Sequence, residues 1–371
     1  MATVAGAVPP ISSCPVSCPA RHGAGVVDNF SYRRSWSWRD RDHQWQQNWC
    51  RYNCTPILTA KVRVRRCGAY TRSSVTAQSR DDKRGIVITG GSKGLGYSLA
   101  REFLATNNSK VVICGRNADR LQAAVASLQT EFDDSCIQGV RCDVSNASDV
   151  AALASFAAEK LGTIHFWINN AGEVTGKKLL ADVDAEEIVR VSGTNVVGSL
   201  LCCREAIRLM RQQESSSEPI YHIFNMGFSR WGASFTKSAC THKSTKVALT
   251  QLTRSLSEEL QAAGLSSIGV HNLSPGMVLT DLLLKDSTPV ARRFFNTLAE
   301  EPETVAKDLV PRILATRGTG QSIECLSPAS AFFKVATGFP QIIQGGRFFD
   351  KDGNRVKIRG ESYQENGVKL M

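Results

Sequence analysis

The feature that constrains this chain most is a glycine-rich turn caught between a β-run and an amphipathic helix. Ile86-Val87-Ile88-Thr89 leads into Gly90-Gly91-Ser92-Lys93-Gly94-Leu95-Gly96, and apolar residues then recur at Leu95, Leu99, Ala100, Phe103 and Leu104. That spacing is one face of a helix. Strand, glycine turn and helix in this order build an anion site. Gly90 permits a tight turn, Gly94 lets the main chain approach a pyrophosphate, Gly96 allows the helix to pack closely on the strand, and the free N–H groups of the first helical turn face the phosphates.

The pattern repeats downstream. Strands are expected at Lys110 to Cys114, Gly139 to Asp143, His165 to Asn169, Ile220 to Asn225 and Ser267 to Ser274. Helices are expected at Arg120 to Phe132, Ala147 to Lys160, Ala185 to Arg211 and Lys243 to Ala263. Repeated β/α units of this length give a parallel sheet covered on both faces, so the fold class is α/β, a single doubly wound Rossmann-type domain. The end of the second strand is where a dinucleotide's adenosine ribose lies, and an acid there would accept the 2′-hydroxyl of NAD. The chain instead reads Cys114-Gly115-Arg116, with Lys93 in the glycine loop. Two cations and no acid favour NADP(H).

Charge divides the chain before that domain begins. Residues 1–80 hold 12 Arg or Lys against three acids, a balance of +9, which leaves 33 basic and 31 acidic residues in the remainder. The body, at +2, offers no electrostatic case for nucleic acid. The leader is Arg-rich, poor in acids and without apolar periodicity, as in an organelle transit peptide. Its first 20 residues carry no charge and four prolines, which would break the basic helix of a mitochondrial address and favours a plastid. Processing is expected between Arg66 and Arg80. The boundaries that follow are 1–80 for a plastid transit peptide and disordered leader, 81–325 for the Rossmann domain and 326–371 for a C-terminal extension. The body cysteines form no CxxC pair and have no histidine at ligand spacing, so no metal site is expected.

Five ordered segments resemble the short-chain dehydrogenase/reductase family over residues 85–310. Thr89 to Gly96 is similar to its TGxxxGxG turn, Asp143 to its adenine-side acid and Asn169-Asn170-Ala171-Gly172 to its NNAG turn. Asn195 is similar to its active-site asparagine, and Ser274 to Thr280 to its PG segment beside the nicotinamide. The resemblance implies cofactor contacts from Gly90, Ser92, Lys93, Gly94, Leu95, Gly96, Arg116, Asp143, Asn170, Ala171, Gly172, Lys246, Pro275, Gly276, Val278 and Thr280. Other segments, among them His222 to Met226, Val270 to Leu284 and Glu303 to Arg312, resemble plant and algal chlorophyll(ide) b reductases of the non-yellow-coloring-like type. This implies a chloroplast enzyme, stromal or peripheral on the thylakoid, that reduces the 7-formyl group of chlorophyll(ide) b or antenna-bound pigment with NADPH. It would act as a homo-oligomer or with a related reductase.

The catalytic centre departs from the family. Where Tyr-x-x-x-Lys is expected, the chain has His242-Lys243-Ser244-Thr245-Lys246. Counting 13 residues back from His242 reaches Ser229, whereas matching Phe224-Asn225-Met226 puts Phe228 at the serine position. The catalytic set is thus Asn195, His242, Lys246 and Ser229. Histidine titrates nearer neutrality than a phenol, but it reaches about 2 Å less far and has Lys243 and Lys246 as neighbours. A catalytically weak nucleotide-binding paralogue that partners an active reductase, and a plastid carbonyl reductase for another substrate, are the competing readings. Leu282-Leu283-Leu284, Val290 to Phe295 and Thr297 to Ile313 are read as a substrate lid or as simple helix packing. Phe332-Phe333, Phe339, Ile342-Ile343 and Phe348-Phe349 are read as an aromatic surface patch or as packing residues, and residues 351–371 as a loose polar end.

Overall fold

The structure, a computed structural model, describes residues 83–235, 238–357, 361–364 and 366–369. The leader read over residues 1–80, with its processing region, lies outside them. Seven parallel strands form one sheet in the order β3-β2-β1-β4-β5-β6-β9. They are β1 (Arg84–Thr89), β2 (Ser109–Gly115), β3 (Ile137–Arg141), β4 (Ile164–Asn169), β5 (Tyr221–Met226), β6 (Ile268–Ser274) and β9 (Ser322–Glu324). A separate pair joins β7 (Met277–Val278) to β8 (Ala299–Glu300). Strand order reverses between β1 and β4, and a crevice opens there at the carboxyl ends of the strands.

Alternation along β1 explains the layers. Ile86 and Ile88 face one core with Leu99, Phe103, Ile113, Phe224 and Leu309. Val87 faces the other with Val112, Leu153, Trp167, Ile223 and Val270. The first face is covered by α1 (Gly94–Ala105), α2 (Ala118–Gln129) and α10 (Pro302–Leu314). The second is covered by α3 (Ala147–Leu161), α5 (Gly198–Met210) and α7 (Cys240–Ala262).

Several expectations need correction. The single helix expected over Ala185 to Arg211 is α4 (Ala185–Ser192), a π-helical turn (Gly193–Val197) and α5. The strand expected over Gly139 to Asp143 starts and ends two residues earlier, which places Asp143 in the loop beyond it. The stretch Thr297 to Ile313 is no lid. Pro302 opens a new helix after β8, and Val305, Ala306, Leu309, Val310 and Ile313 of α10 are buried in the main core.

Around the carboxyl edge lie three more helices, α8 (Asp281–Leu284), α9 (Pro289–Leu298) and α11 (Pro328–Gln344). Phe348 and Phe349 are not surface residues, since they pack with Leu279, Leu284, Phe295 and Val368 in a third apolar cluster. Nor are the described residues of the polar end loose. Phe349 bridges Arg355, Tyr363 bridges Lys369, and Val368 is buried. Phe332, Phe333, Phe339 and Ile343 of α11 do stand exposed.

Candidate active site

The glycine turn forms a cradle in main-chain atoms. Gly90 and Gly94 have φ of +66° and +56°, values that L side chains resist. A Cβ on Gly96 would lie 2.3 Å from Gly90 O, so only glycine lets the helix come this close to the strand. The first turn of α1 carries no acid and no side-chain cap, and its positive end is left open to the crevice. These features fit a pyrophosphate.

A residue outside the expected contact set, Thr89, holds this cradle to the segment after β4. Its Oγ1 accepts from the N–H groups of Asn170 (3.1 Å) and Ala171 (3.0 Å). In return, Asn170 Nδ2 donates to the carbonyls of Thr89 (2.9 Å) and Gly90 (3.2 Å). Asn170 therefore acts by shaping the turn. Thr89 was visible in the sequence as the first residue of the glycine segment, but nothing in the pattern shows what its hydroxyl does.

The two cations expected to meet a 2′-phosphate are each paired with an acid. Lys93 bridges to Asp281 at the start of α8, and Asp281 also accepts from Asn366 Nδ2 at 3.0 Å. Arg116 pairs with Glu173, which also pairs with Arg190 of α4. Asp143 accepts from the N–H (3.0 Å) and hydroxyl (2.7 Å) of Ser145. Burial would raise its pKa, but these bonds and the charge of Arg116 hold it below the usual carboxylate range.

The π-helical turn places Asn195 in the interior with no exposed surface. Its Oδ1 accepts from Glu173 N–H at 2.8 Å, and its Nδ2 donates to Glu173 O at 2.9 Å and Thr245 Oγ1 at 3.0 Å. Lys246 is buried and donates to Met226 O at 2.8 Å. A Cβ on Gly172 would lie 3.3 Å from Lys246 Nζ and 3.4 Å from Asn195 Oδ1, so the absence of a side chain there leaves room beside both groups. Burial pushes the Lys246 ammonium down to about 8.

His242, one turn before Lys246 on α7, is also buried, and its Nδ1 has no hydrogen-bond partner. Burial first, and the Lys246 charge second, lower its pKa to about 4. The imidazole is neutral at pH 7. The ring meets Phe228 edge to face at 5.7 Å between centroids. Ser229 turns elsewhere. Its hydroxyl accepts from Gly232 N–H at 3.0 Å in the first turn of α6 (Arg230–Phe235), and its N–H donates to Ser274 Oγ at 3.1 Å. Of the two registers, Phe228 is the one that faces the histidine.

Pro275 and Gly276 (φ +76°) turn the chain out of β6 into β7. Thr280 N–H then bonds Val278 O at 2.8 Å. The Thr280 methyl lies 3.1 Å from where a Cβ on Gly94 would sit, so the start of α8 touches the glycine cradle. Most of these groups line one cavity of about 1720 Å³, but Thr89, Asp143 and Asn195 are not among its lining residues and act on it only through their neighbours. It runs from Ser92 and Arg116 past Lys246 and His242 to an apolar end at Phe294, Phe295, Leu298 and Phe332.

This geometry, a doubly wound sheet with a glycine cradle and an Asn-Lys centre, agrees with comparison to known proteins. Residues 84–289 match the short chain dehydrogenase model, and the chain belongs to that family. It is 40% identical over 268 residues to "Chlorophyll(ide) b reductase NOL, chloroplastic" of Arabidopsis thaliana, a match covering 71% of this chain and 74% of that protein. It is 38% identical over 288 residues to "Probable chlorophyll(ide) b reductase NYC1, chloroplastic" of Oryza sativa subsp. japonica. That match covers 74% of this chain and 55% of the rice protein, so the chain spans little more than half of that relative. Among solved structures, it resembles 3-ketoacyl-(acyl-carrier-protein) reductase from Brucella melitensis complexed with NADH. The TM-score is 0.56 at 25% identity, over 67% of this chain and 98% of the other.

Proposed function

We propose that the chain is a chloroplast reductase that converts the 7-formyl group of chlorophyll(ide) b to 7-hydroxymethyl with NADPH. The observation that carries this reading is the continuity of one cavity from a pyrophosphate cradle, past Lys246 and His242, into an end lined by Phe294, Phe295, Leu298 and Phe332, the apolar lining an extended ring system would need. The names of the relatives supply the substrate. Binding at the stromal face of the thylakoid and assembly with a second copy or a related reductase belong to the same reading. Among the described residues, no helix is long and apolar enough to cross a membrane.

When bound, the nicotinamide supplies hydride to the aldehyde carbon, and the chain must supply one proton to the oxygen. His242 does this as a neutral group. An unpartnered buried nitrogen is tolerated better as a bare lone pair than as an orphaned N–H, which puts the proton on Nε2. Nε2–H then donates to the carbonyl oxygen, as a neutral imidazole can where its surroundings hold its pKa below the working pH. The Lys246 ammonium, held against Met226 O, adds positive potential beside the developing oxyanion and stabilises the imidazolate that His242 becomes once its Nε2 proton has moved. Asn195 fixes the Gly172-Glu173 segment that walls this space.

The test is turnover. The full chain incubated with chlorophyll b and NADPH should give the 7-hydroxymethyl product on chromatography. If NADPH binds but no product forms at any pH from about 5 to 8, where histidine ordinarily titrates, the chain is instead a nucleotide-binding partner of an active reductase. A reading favoured by the lost tyrosine would then stand.

A further inference from the structure

We propose that Glu173 sets the discrimination between phosphorylated and unphosphorylated dinucleotides, by competing inside the crevice with the 2′-phosphate for Arg116. This rests on the nicotinamide-binding reading above and extends it to a residue outside every expected contact. Glu173 directly follows Asn169-Asn170-Ala171-Gly172, and its peptide groups are clamped on both sides by Asn195. With the main chain fixed, its side chain, only 11% exposed, extends between two guanidiniums. Arg116 reaches it from the end of β2 and Arg190 from α4, while Thr194 Oγ1 donates to its Oε1 at 3.4 Å. Glu173, Arg116 and Arg190 line the same cavity as the glycine cradle.

A carboxylate held between two arginines is an anion site filled from within the protein. Arg116 stands at the carboxyl end of the second strand, where the ribose 2′-substituent of a dinucleotide lies. A 2′-phosphate arriving there meets a cation that is already neutralised, so Arg116 must exchange one anion for another. Arg190 makes the exchange feasible, because it keeps Glu173 paired after Arg116 has left and no buried charge is stranded. A 2′-hydroxyl brings no charge to compete and leaves the pair as it is. Glu173 therefore weakens binding of the phosphorylated cofactor alone, and Arg190 moderates that effect.

The experiment measures equilibrium binding to the full chain by calorimetry, with NADPH and NADH and with the adenosine halves 2′,5′-ADP and 5′-AMP. Glu173→Gln, close in shape, should tighten NADPH and 2′,5′-ADP about tenfold, the scale of one charge-assisted contact, and leave NADH and 5′-AMP within about twofold. Arg190→Gln, at a half-exposed side chain, should do the opposite to the phosphorylated pair and serves if the Glu173 variant fails to fold. Arg116→Gln should weaken the phosphorylated ligands and remove the effect of Glu173→Gln in the double variant. An equal response of all four ligands, or none, overturns the proposal and leaves the cofactor reading standing. Failure of the unaltered chain to bind either dinucleotide overturns both.

Discussion

At the residue scale the proposed chemistry turns on two buried nitrogens in successive turns of α7. Lys246 keeps its charge up to pH about 8 because burial alone lowers it, whereas His242 stays neutral down to about 4. Between those values neither group changes state. The rate at saturating substrate should therefore be flat from about pH 5.5 to 7, with no inflection near the ordinary histidine value of about 6.5. It should fall above pH 8 as the ammonium, and with it the positive potential at the carbonyl oxygen, is lost. A kcat profile recorded from pH 5 to 9 checks this, and a rise or fall centred near 6.5 would show that an imidazolium takes part. Replacing His242 by Phe should lower kcat by about a hundredfold or more, the usual contribution of a positioned proton donor, with the dissociation constant of NADPH little changed. The residue types of this centre were legible in the sequence, because Lys246, Asn195 and the substituted His242 stand at recognisable intervals. Their states were not. Nothing in the order of residues says that His242 lies under Phe228 with an unpartnered Nδ1, or that the Ser229 hydroxyl is spent on the Gly232 N–H.

Elements carry the same lesson in another form. Apolar periodicity gave strands β1 to β6 and helices α1, α2, α3 and α7 to within a few residues, since each buries one face against the sheet and its sequence must repeat accordingly. It could not reveal the π-helical turn at Gly193–Val197, because one extra residue in a helix shifts the apolar stripe by an amount that a continuous helix also tolerates. That turn positions Asn195. It swings Asn195 inward, where the side chain serves three partners, Glu173 N–H, Glu173 O and Thr245 Oγ1. Asn195→Ala would strand these groups in the interior, and each orphaned group costs about 1–3 kcal/mol. We expect a loss of about 2–4 kcal/mol in urea unfolding, after allowing for partial rearrangement, together with weaker dinucleotide binding as the Gly172-Glu173 wall loosens. If stability is unchanged, the turn does not depend on Asn195. The short elements α6, α8, β7 and β8 escaped the sequence for a simpler reason. They are held by contacts made far along the chain, such as Met277 against Ala299 and Asp281 against Lys93, and have too few residues for a period to show.

For the whole molecule, apolar surface is distributed over three clusters, and the distribution separates two tasks. The two large cores lie on opposite faces of the sheet and fix the glycine cradle, Lys246 and Asn195 relative to one another. The third is small and joins α8, α9 and the end of the chain through Phe295, Phe348, Phe349 and Val368. Its hinge is Asn296, whose Oδ1 accepts from the N–H groups of Phe348 (2.7 Å) and Phe349 (2.8 Å), while its Nδ2 donates to Phe349 O at 2.9 Å. Around Phe349 stack the guanidiniums of Arg292 (5.6 Å) and Arg355 (5.5 Å). This cluster borders the apolar end of the cavity through Phe295 and Val368, and it reaches the cofactor end through the start of α8, where Asn366 holds Asp281. Phe349→Ala should therefore act on the two ends unequally. Removing a fully buried ring costs about 3–5 kcal/mol where the surroundings cannot collapse, and here the cost falls on the cluster rather than on the sheet. The expected result is a calorimetric trace with an early local transition ahead of the main one, NADPH affinity within about threefold of the unaltered chain, by the factor context normally adds to such estimates, and a much larger loss of chlorophyll b binding. A single cooperative transition lowered as a whole, with both ligands weakened alike, would show instead that the third cluster is an integral part of the sheet's core.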